Sequence, residues 1–400
     1  MGRSVENDIP WSFDVAVVGL GTVGVPELHL WHKVSDSVVG YDIDDSRIKG
    51  LAIRSWAGRI PILSTDIDDV RGSRIIVLCL PTSTADGRVS TAAFDHFEAT
   101  FRSSSTPATE LLIIASTVPV GFSREMSRRL GVDNVAHAPE RYDPGRSRLE
   151  DIPRLVGATN APALAKTAAF YRLAGTQVHE VQSPEVAETA KLFENAFRLV
   201  SIALVNELAT ICQRAGVSTR QVIDAAATKP FGFLPHYPGA GAGGVCIPVV
   251  PQLLVDLAHS VRSDMPLLRA ALLANDTLAD TIVRNLKDVL GPHSDRRTVL
   301  VVGATYKADY PDVRGSAACR LIERLARDYE VTVLDPLIDS ADLPGGVEHW
   351  RSVQVNRLFD LVVIAVPHAG LATQADHLAP KVLDLPRGEV RVAGDRAIPD

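Results

Sequence analysis

Cys246 ends a glycine-rich run, Gly239–Ala240–Gly241–Ala242–Gly243–Gly244–Val245–Cys246, with Pro248 and Pro251 just beyond it. Glycines let a backbone come close to a phosphorylated ligand, and a thiolate is a strong nucleophile. Such a loop could deliver sulfur to a carbonyl carbon on that ligand. A flexible surface loop beside a buried, inert cysteine fits the same residues as well. Pro248 and Pro251 read as a helix start, and a helix N-terminus just after Cys246 would favour a thiolate.

A second set of residues has phosphate-binding spacing. Gly19, Gly21 and Gly24 form GxGxxG, enclosing Thr22 and Val23, between an apolar run and a helical stretch. The glycines permit a tight turn, close approach to a pyrophosphate and tight helix–strand packing. The helix N-terminus then faces the phosphate charge. Asp42 follows the next apolar run, where a carboxylate accepts from the ribose hydroxyls of NAD and repels the extra phosphate of NADP.

Lys191 and Asn195 are four residues apart and share a helix face. A cation and an amide donor suit a developing oxyanion. The commoner arrangement is a solvated Lys191 paired with Glu188 or Glu194.

These residues need a scaffold. The runs 13–18, 38–41, 74–80 and 111–115 read as buried strands, and strands alternating with helices indicate a parallel α/β sheet. From Pro184 to about Ala215, Leu192, Phe193, Ala196, Leu199, Val200, Ala203, Leu204 and Leu208 recur at helical spacing, and Gly216 stands where the helix should end. A helix of that length spans roughly 45 Å, which suits a domain connector and a dimer core. Strands are expected again at 298–302, 331–334 and 361–366, with a helix over 316–328. The fold expected is therefore α/β, with two Rossmann-like domains joined by a long central helix and a helical middle domain. The divisions expected are 12–183, 184–290 and 291–400.

Composition limits the function. Across 400 residues, 46% hydrophobic and 22% charged content is that of an ordinary globular chain, and a net charge of −7 gives no support for nucleic-acid binding. Cys79, Cys212, Cys246 and Cys319 are scattered without a CxxC pair, so neither a zinc site nor a disulfide framework is expected. The start, 1–11, is polar, and no unbroken apolar run approaches membrane-spanning length. A cytoplasmic protein with no metal and no membrane span is expected.

Taken together, the segments resemble the UDP-glucose/GDP-mannose dehydrogenase family, closest to the bacterial branch that oxidises UDP-N-acetylhexosamines. The resemblance runs from about Phe13 to about Arg387. It rests on GLGTVG with YDID, STVPVG (116–121), APERYDPG (138–145), ETAKLFENAFRLVSIALVNELA (188–209), the loop ending GAGAGGVCIP, and GATYKADYPDVRGSAA (303–318). It implies NAD-dependent oxidation of a sugar C6 alcohol to a carboxylate, with two NAD consumed. Cys246 matches the nucleophile that passes through a thiohemiacetal and a thioester. Lys191 and Asn195 match the oxyanion pair, Glu140 the acid of the hydrolysis step, and Thr117 a residue that positions water or cofactor. Glu140 has Arg141 beside it as an alternative partner. Arg47, Thr82 and Arg314 join the cofactor contacts. Arg141, Lys229, Phe233, Tyr237, Gly239, Gly243 and Lys307 join the sugar-nucleotide contacts. An ordinary surface ion pair is the alternative for Lys307 and Arg314. The partners implied are a nucleotide-sugar substrate and a second copy of the chain, packed through the long helix. Base, sugar configuration and pathway, whether polysaccharide precursor or specialised metabolite, stay open.

The chain departs from the family pattern in places. Val250 stands where Cys–x–x–x–Asp has its aspartate, and valine can neither take a proton nor orient water. Val245 replaces a histidine, Thr22 a tyrosine and Ser83 a proline, and 384–387 is a loose echo of the family's ending. Losing an acid–base group costs about 10²–10⁴-fold in rate. Asp256 or His259 would have to substitute from the next turn. Three readings follow: a working four-electron dehydrogenase, a two-electron or transient redox enzyme, and a catalytically silent nucleotide-sugar and NAD binder. Retention of Cys246, Lys191, Asn195 and Glu140 argues against silence.

Overall fold

Strands buried on both faces need no polar alternation, which is why the Val-, Ile- and Leu-rich runs become sheet centres. The computed structural model describes residues 13–53, 61–82, 89–102, 109–141, 151–244, 246–290, 297–353 and 357–392. Ser83, Val245, residues 142–145 of the APERYDPG stretch and the polar start 1–12 lie outside them. The chain forms two compact units, Met1–Phe193 and Glu194–Asp400.

The first unit holds β1 (Phe13–Val18), β2 (Val38–Tyr41), β3 (Ile62–Ser64), β4 (Ser73–Leu78), β5 (Leu111–Ile114), β6 (Val135–His137), β7 (Arg154–Ala158) and β8 (Val178–Glu180). They make one sheet in the order β3-β2-β1-β4-β5-β6-β7-β8, parallel except where β6 meets β7. The chain leaves β1 to one side and returns at β4 on the other. That reversal opens a crevice at the strand C-termini, the usual ligand position in doubly wound sheets.

The second unit repeats the winding. β9 (Thr298–Val302), β10 (Glu330–Leu334), β11 (Glu348–Trp350), β12 (Leu361–Ile364), β13 (Lys381–Asp384) and β14 (Glu389–Val392) lie in the order β11-β10-β9-β12-β13-β14, with only β13 and β14 antiparallel. Helices at Thr219–Ala227, Gln252–Ser260, Pro266–Asp276 and Leu278–Leu290 precede them.

The long helix runs Pro184–Ala215, as its periodicity predicts, and Gly216 follows at φ +67°. Leu192, Ala196, Leu199 and Ala203 are buried on its inner face. Three strands stop short of expectation, β5 by one residue at Ile114. β4 ends at Leu78 and β12 at Ile364, a few residues before Pro81 and Pro367, which cannot donate to a ladder. The helix expected over 316–328 is Ala317–Ala326, because the Ser316 side chain caps it by accepting the Cys319 N–H.

Candidate active site

In the first unit the GxGxxG glycines have three separate tasks. Gly19 has φ +87°, and a Cβ there would lie 2.8 Å from the Cys79 carbonyl. A Cβ on Gly24, the first residue of the helix Gly24–Trp31, would lie 1.7 Å from the Gly19 carbonyl. Gly21 has nothing within 4 Å of that position, so the open side of the loop is where a ligand can approach the backbone. Thr22 is exposed and Val23 half-buried beside it. Asp42 braces this loop: its Oδ2 accepts the Leu20 N–H at 2.8 Å and its Oδ1 accepts the Asp44 N–H at 3.0 Å. Arg47 donates to the Leu20 carbonyl at 3.3 Å, with its Nε 3.7 Å from Asp42.

Thr82 and Thr117 follow β4 and β5 at the same edge of the sheet, both half-buried. Glu140 follows β6 and is buried. Two of its contacts come from a backbone and from a distant strand. The Arg141 backbone N–H donates to Oε1 at 2.7 Å, and the buried Arg154 donates to Oε2 at 2.7 Å. Arg154 also pairs at 2.6 Å with Glu27, which is fully buried in the helix after the glycine loop. Nothing in the spacing of residues 27, 140 and 154 announces this cluster.

His137 on β6 is fully buried. Burial drives its pKa down to about 3, with the Ile114 carbonyl opposing and the Lys191 charge adding to the fall. The imidazole is therefore neutral, and the Lys191 ammonium is within electrostatic reach of the strand that leads to Glu140. Glu188 does not serve Lys191 as an ion-pair partner on the helix surface. It is fully buried, and its carboxylate accepts the N–H groups of Gly121 at 2.5 Å and Ser123 at 2.8 Å, capping the helix Phe122–Leu130. The unmet N–H groups of a helix N-terminus are good partners for a buried carboxylate.

Asn195 is buried, and among the described residues its Nδ2 has no hydrogen-bond partner. It is the donor on the Lys191 face of the helix that is left for a ligand.

The glycine run before Cys246 is held by its own chain. Asn206 accepts the Gly239 N–H at 3.0 Å. Asn275 accepts the Ala242 N–H at 2.7 Å and donates back to the Ala242 carbonyl at 3.2 Å. Gly244 donates to the Gly315 carbonyl at 3.1 Å, and a Cβ on Gly315 would lie 2.7 Å from the Gly244 carbonyl. A Cβ on Gly243 would lie 3.0 Å from the Ala317 nitrogen. These glycines serve backbone-on-backbone packing, while Gly239 is the open one. Arg320, unmarked in the sequence reading, donates to the carbonyls of Ala242 and Gly315, and burial lowers its pKa.

Of the four cysteines, Cys246 is the exposed one. The helix expected immediately after it starts at Gln252. Residues 246–251 are a turn, in which Cys246 O accepts the Val250 N–H at 2.9 Å. Pro248 and Pro251 lack N–H groups, so regular helix begins only beyond the second. Val250 is buried, whereas Asp256 and His259 lie on the exposed side, with Asp256 bonded to Gln252. Neither candidate substitute faces the way Val250 does.

Farther along the second unit, Asp335 has the role of Asp42. It follows β10, and its Oδ2 accepts the Ala304 N–H at 2.8 Å beyond Gly303. His368 accepts the Asp309 N–H on Nδ1 at 2.9 Å, so its Nε2 carries the proton and faces Asp335 at 3.0 Å. This frame holds the half-buried Lys307, whose carbonyl accepts from Thr305. Arg314 makes a close two-oxygen pair with Asp312 on the wall of a cavity of about 420 Å³, so its guanidinium is already engaged. Lys229, Phe233 and Tyr237 are exposed. The Lys229 ammonium lies over Phe231, and the Tyr237 hydroxyl donates to Asp224 at 2.7 Å.

Comparison with known proteins agrees with this architecture. Residues 185–277 match the central domain of the UDP-glucose/GDP-mannose dehydrogenase family, and 300–387 match that family's UDP binding domain. The chain is 31% identical over 390 residues to UDP-N-acetyl-D-mannosamine dehydrogenase of Pyrococcus horikoshii, covering 88% of this chain and 89% of that one. It is 30% identical over 394 residues to UDP-N-acetyl-D-glucosamine 6-dehydrogenase of Pseudomonas aeruginosa, covering 89% and 90%. The solved structure of the UDP-D-ManNAc dehydrogenase from Pyrococcus horikoshii superposes with a TM-score of 0.77 at 26% identity, over 90% of this chain and 92% of that one. These matches define a nucleotide-sugar dehydrogenase, an oxidoreductase. The chain belongs to the UDP-glucose/GDP-mannose dehydrogenase family, in the branch of the UDP-N-acetylhexosamine enzymes.

Proposed function

We propose that the protein oxidises the C6 alcohol of a UDP-N-acetylhexosamine to the uronate with NAD. The residues at the first glycine loop fit the dinucleotide: Gly21 is open for a pyrophosphate, and Asp42 is held at the end of β2 beside the ribose position. When bound there, NAD supplies the hydride acceptor. The observation that carries the reading is the exposed thiol of Cys246, in a chain whose other cysteines are buried or half-buried.

In this reading Cys246 sulfur adds to the C6 aldehyde, and the resulting oxygen takes charge that Lys191 and the free Nδ2 of Asn195 stabilise. After the second oxidation the sulfur holds an acyl group. Glu140 takes a proton from water as its oxygen attacks the acyl carbon, and the thiolate of Cys246 leaves. Thr117, at the end of β5, orients that water or the cofactor. The glycine-run and C-terminal residues, with Lys307, hold the UDP group. The three-part division at 184 and 291 is the working description of these tasks.

Val186, Phe193, Phe197, Leu204 and Ile211 are exposed along one narrow side of the long helix, spaced by seven, four, seven and seven residues. That apolar stripe fits packing against a second copy. By length and composition alone the helix could also cross a membrane, yet Glu185 and Glu188 in its first turns are bound by Arg124 and by the Phe122–Leu130 helix start. A cytoplasmic homodimer is therefore the assembly we propose.

The test is a panel of UDP- and GDP-sugars with NAD, followed by NADH absorbance and product mass. Two NADH per sugar and a uronate are expected. One NADH with an aldehyde, no net NADH, or binding without conversion would each overturn the four-electron reaction.

A further inference from the structure

Glu27 is a fully buried carboxylate in the helix that follows the glycine loop. Burying an ionised acid costs several kcal/mol unless it is paired. Its surroundings are built to hold it. The Trp31 indole N–H donates to Oε2 at 3.1 Å, the Tyr171 hydroxyl donates to the same oxygen at 3.2 Å, and the Arg154 Nη2 lies 2.6 Å from Oε1. That same Nη2 lies 2.7 Å from Glu140 Oε2. Arg154 is further fixed by the Ala138 carbonyl at 3.2 Å and by the Tyr171 ring, 4.7 Å below the guanidinium. One buried cation therefore faces two carboxylates, with the Tyr171 hydroxyl and the buried thiol of Cys79 as further titratable neighbours.

We infer that Glu27 is a positioning residue for the hydrolysis step: it shares Arg154 with Glu140, and so sets the orientation of the Glu140 carboxylate and the charge it faces. The inference rests on the role proposed above for Glu140. The physical argument is one of charge. A buried guanidinium given wholly to Glu140 would hold that carboxylate more tightly and leave it less free to meet water. Glu27 takes part of that field. Burial raises the Glu27 pKa, with Arg154 pulling it down and the charge of Glu140 pushing it up, so the two acids respond to one another.

Glu27→Gln keeps the shape and removes the charge. For a substrate that the enzyme turns over, kcat should fall about tenfold with KM within about twofold, and the acidic limb of kcat against pH should move to lower pH. Glu27→Asp, which keeps the charge, should recover most of both; should Glu27→Gln fail to fold, Glu27→Asp is expected to give a smaller shift of the same sign. A double-mutant cycle of Glu27→Gln and Glu140→Gln, read by thermal unfolding without substrate, should be non-additive. Additive Tm changes would overturn the inference whether or not any sugar is oxidised. A non-additive cycle with an unmoved pH limb would leave Glu27 a packing residue and also overturn it. Absence of turnover in wild-type protein would count against the proposed function instead, and the cycle would still decide whether Glu27 acts on Glu140.

Discussion

The Glu188 carboxylate accepts the Ser123 backbone N–H at 2.8 Å, joining the long helix to the segment after β5. The bond puts an acid one turn before Lys191 into a dry site, where its N–H donors lower its proton affinity but desolvation outweighs them and raises its pKa to about 7.

That raised value gives a signed pH dependence. Between the model-peptide value of 4.5 and about 7 the folded chain keeps a proton that the unfolded chain has lost. Stability from this group is full below the unfolded pKa and is lost as pH rises through the folded one, by about 3 kcal/mol at most. Glu188→Gln mimics the protonated acid. Urea unfolding should find the two proteins similar at pH 5 and the variant more stable at pH 8. A difference that does not change with pH would reject the assignment.

Cys246→Ser should lower uronate formation by roughly 10³-fold or more, because the hydroxyl is a far poorer nucleophile and leaving group. Thermal stability should not change, since the side chain is exposed. Acid formation at the wild-type rate, measured by product mass, would remove the covalent route.

Val250→Asp should raise turnover about tenfold by supplying a proton acceptor near the thiol. The position is buried, so the same change should cost about 2 kcal/mol or more of stability. Steady-state NADH production and a melting curve read the two effects separately. Unchanged turnover would mean that another group already handles the proton.

The glycine loop predicts a contrast between neighbours. Gly24→Ala drives a methyl into the Gly19 carbonyl and should destabilise the first unit by about 3 kcal/mol. Gly21→Ala meets open space, so Tm should hold while NAD affinity, measured by calorimetry, falls about tenfold. Equal effects of the two changes on Tm would contradict the separate tasks given to these glycines.

Much of the scaffold was legible in the sequence because its signals are local. Short Val-rich runs mark β1, β2 and β9 to the residue, and helical periodicity with a terminal glycine marks Pro184–Ala215. The GxGxxG loop and Asp42 were legible for the same reason. The short strands β3, β6, β7, β8, β11, β13 and β14 went unread: three to five residues carry too little pattern to separate from loop. The match between Asp42 and Asp335 could have been seen by setting YDID beside LDPL, since each acid follows the second strand of a doubly wound unit.

By itself the sequence determined the class of fold, the two glycine loops, the thiol and the family, all of which depend on residue type and near-neighbour spacing. Tertiary structure alone decided which charges meet. Arg154 reaches Glu27 and Glu140, Glu188 turns to a helix start instead of Lys191, and the glycines before Cys246 pack on Gly315 and Ala317. The physical reason is desolvation. A buried charge or backbone group must find its partner among whatever the fold brings within about 3 Å, and distance along the chain does not enter that choice.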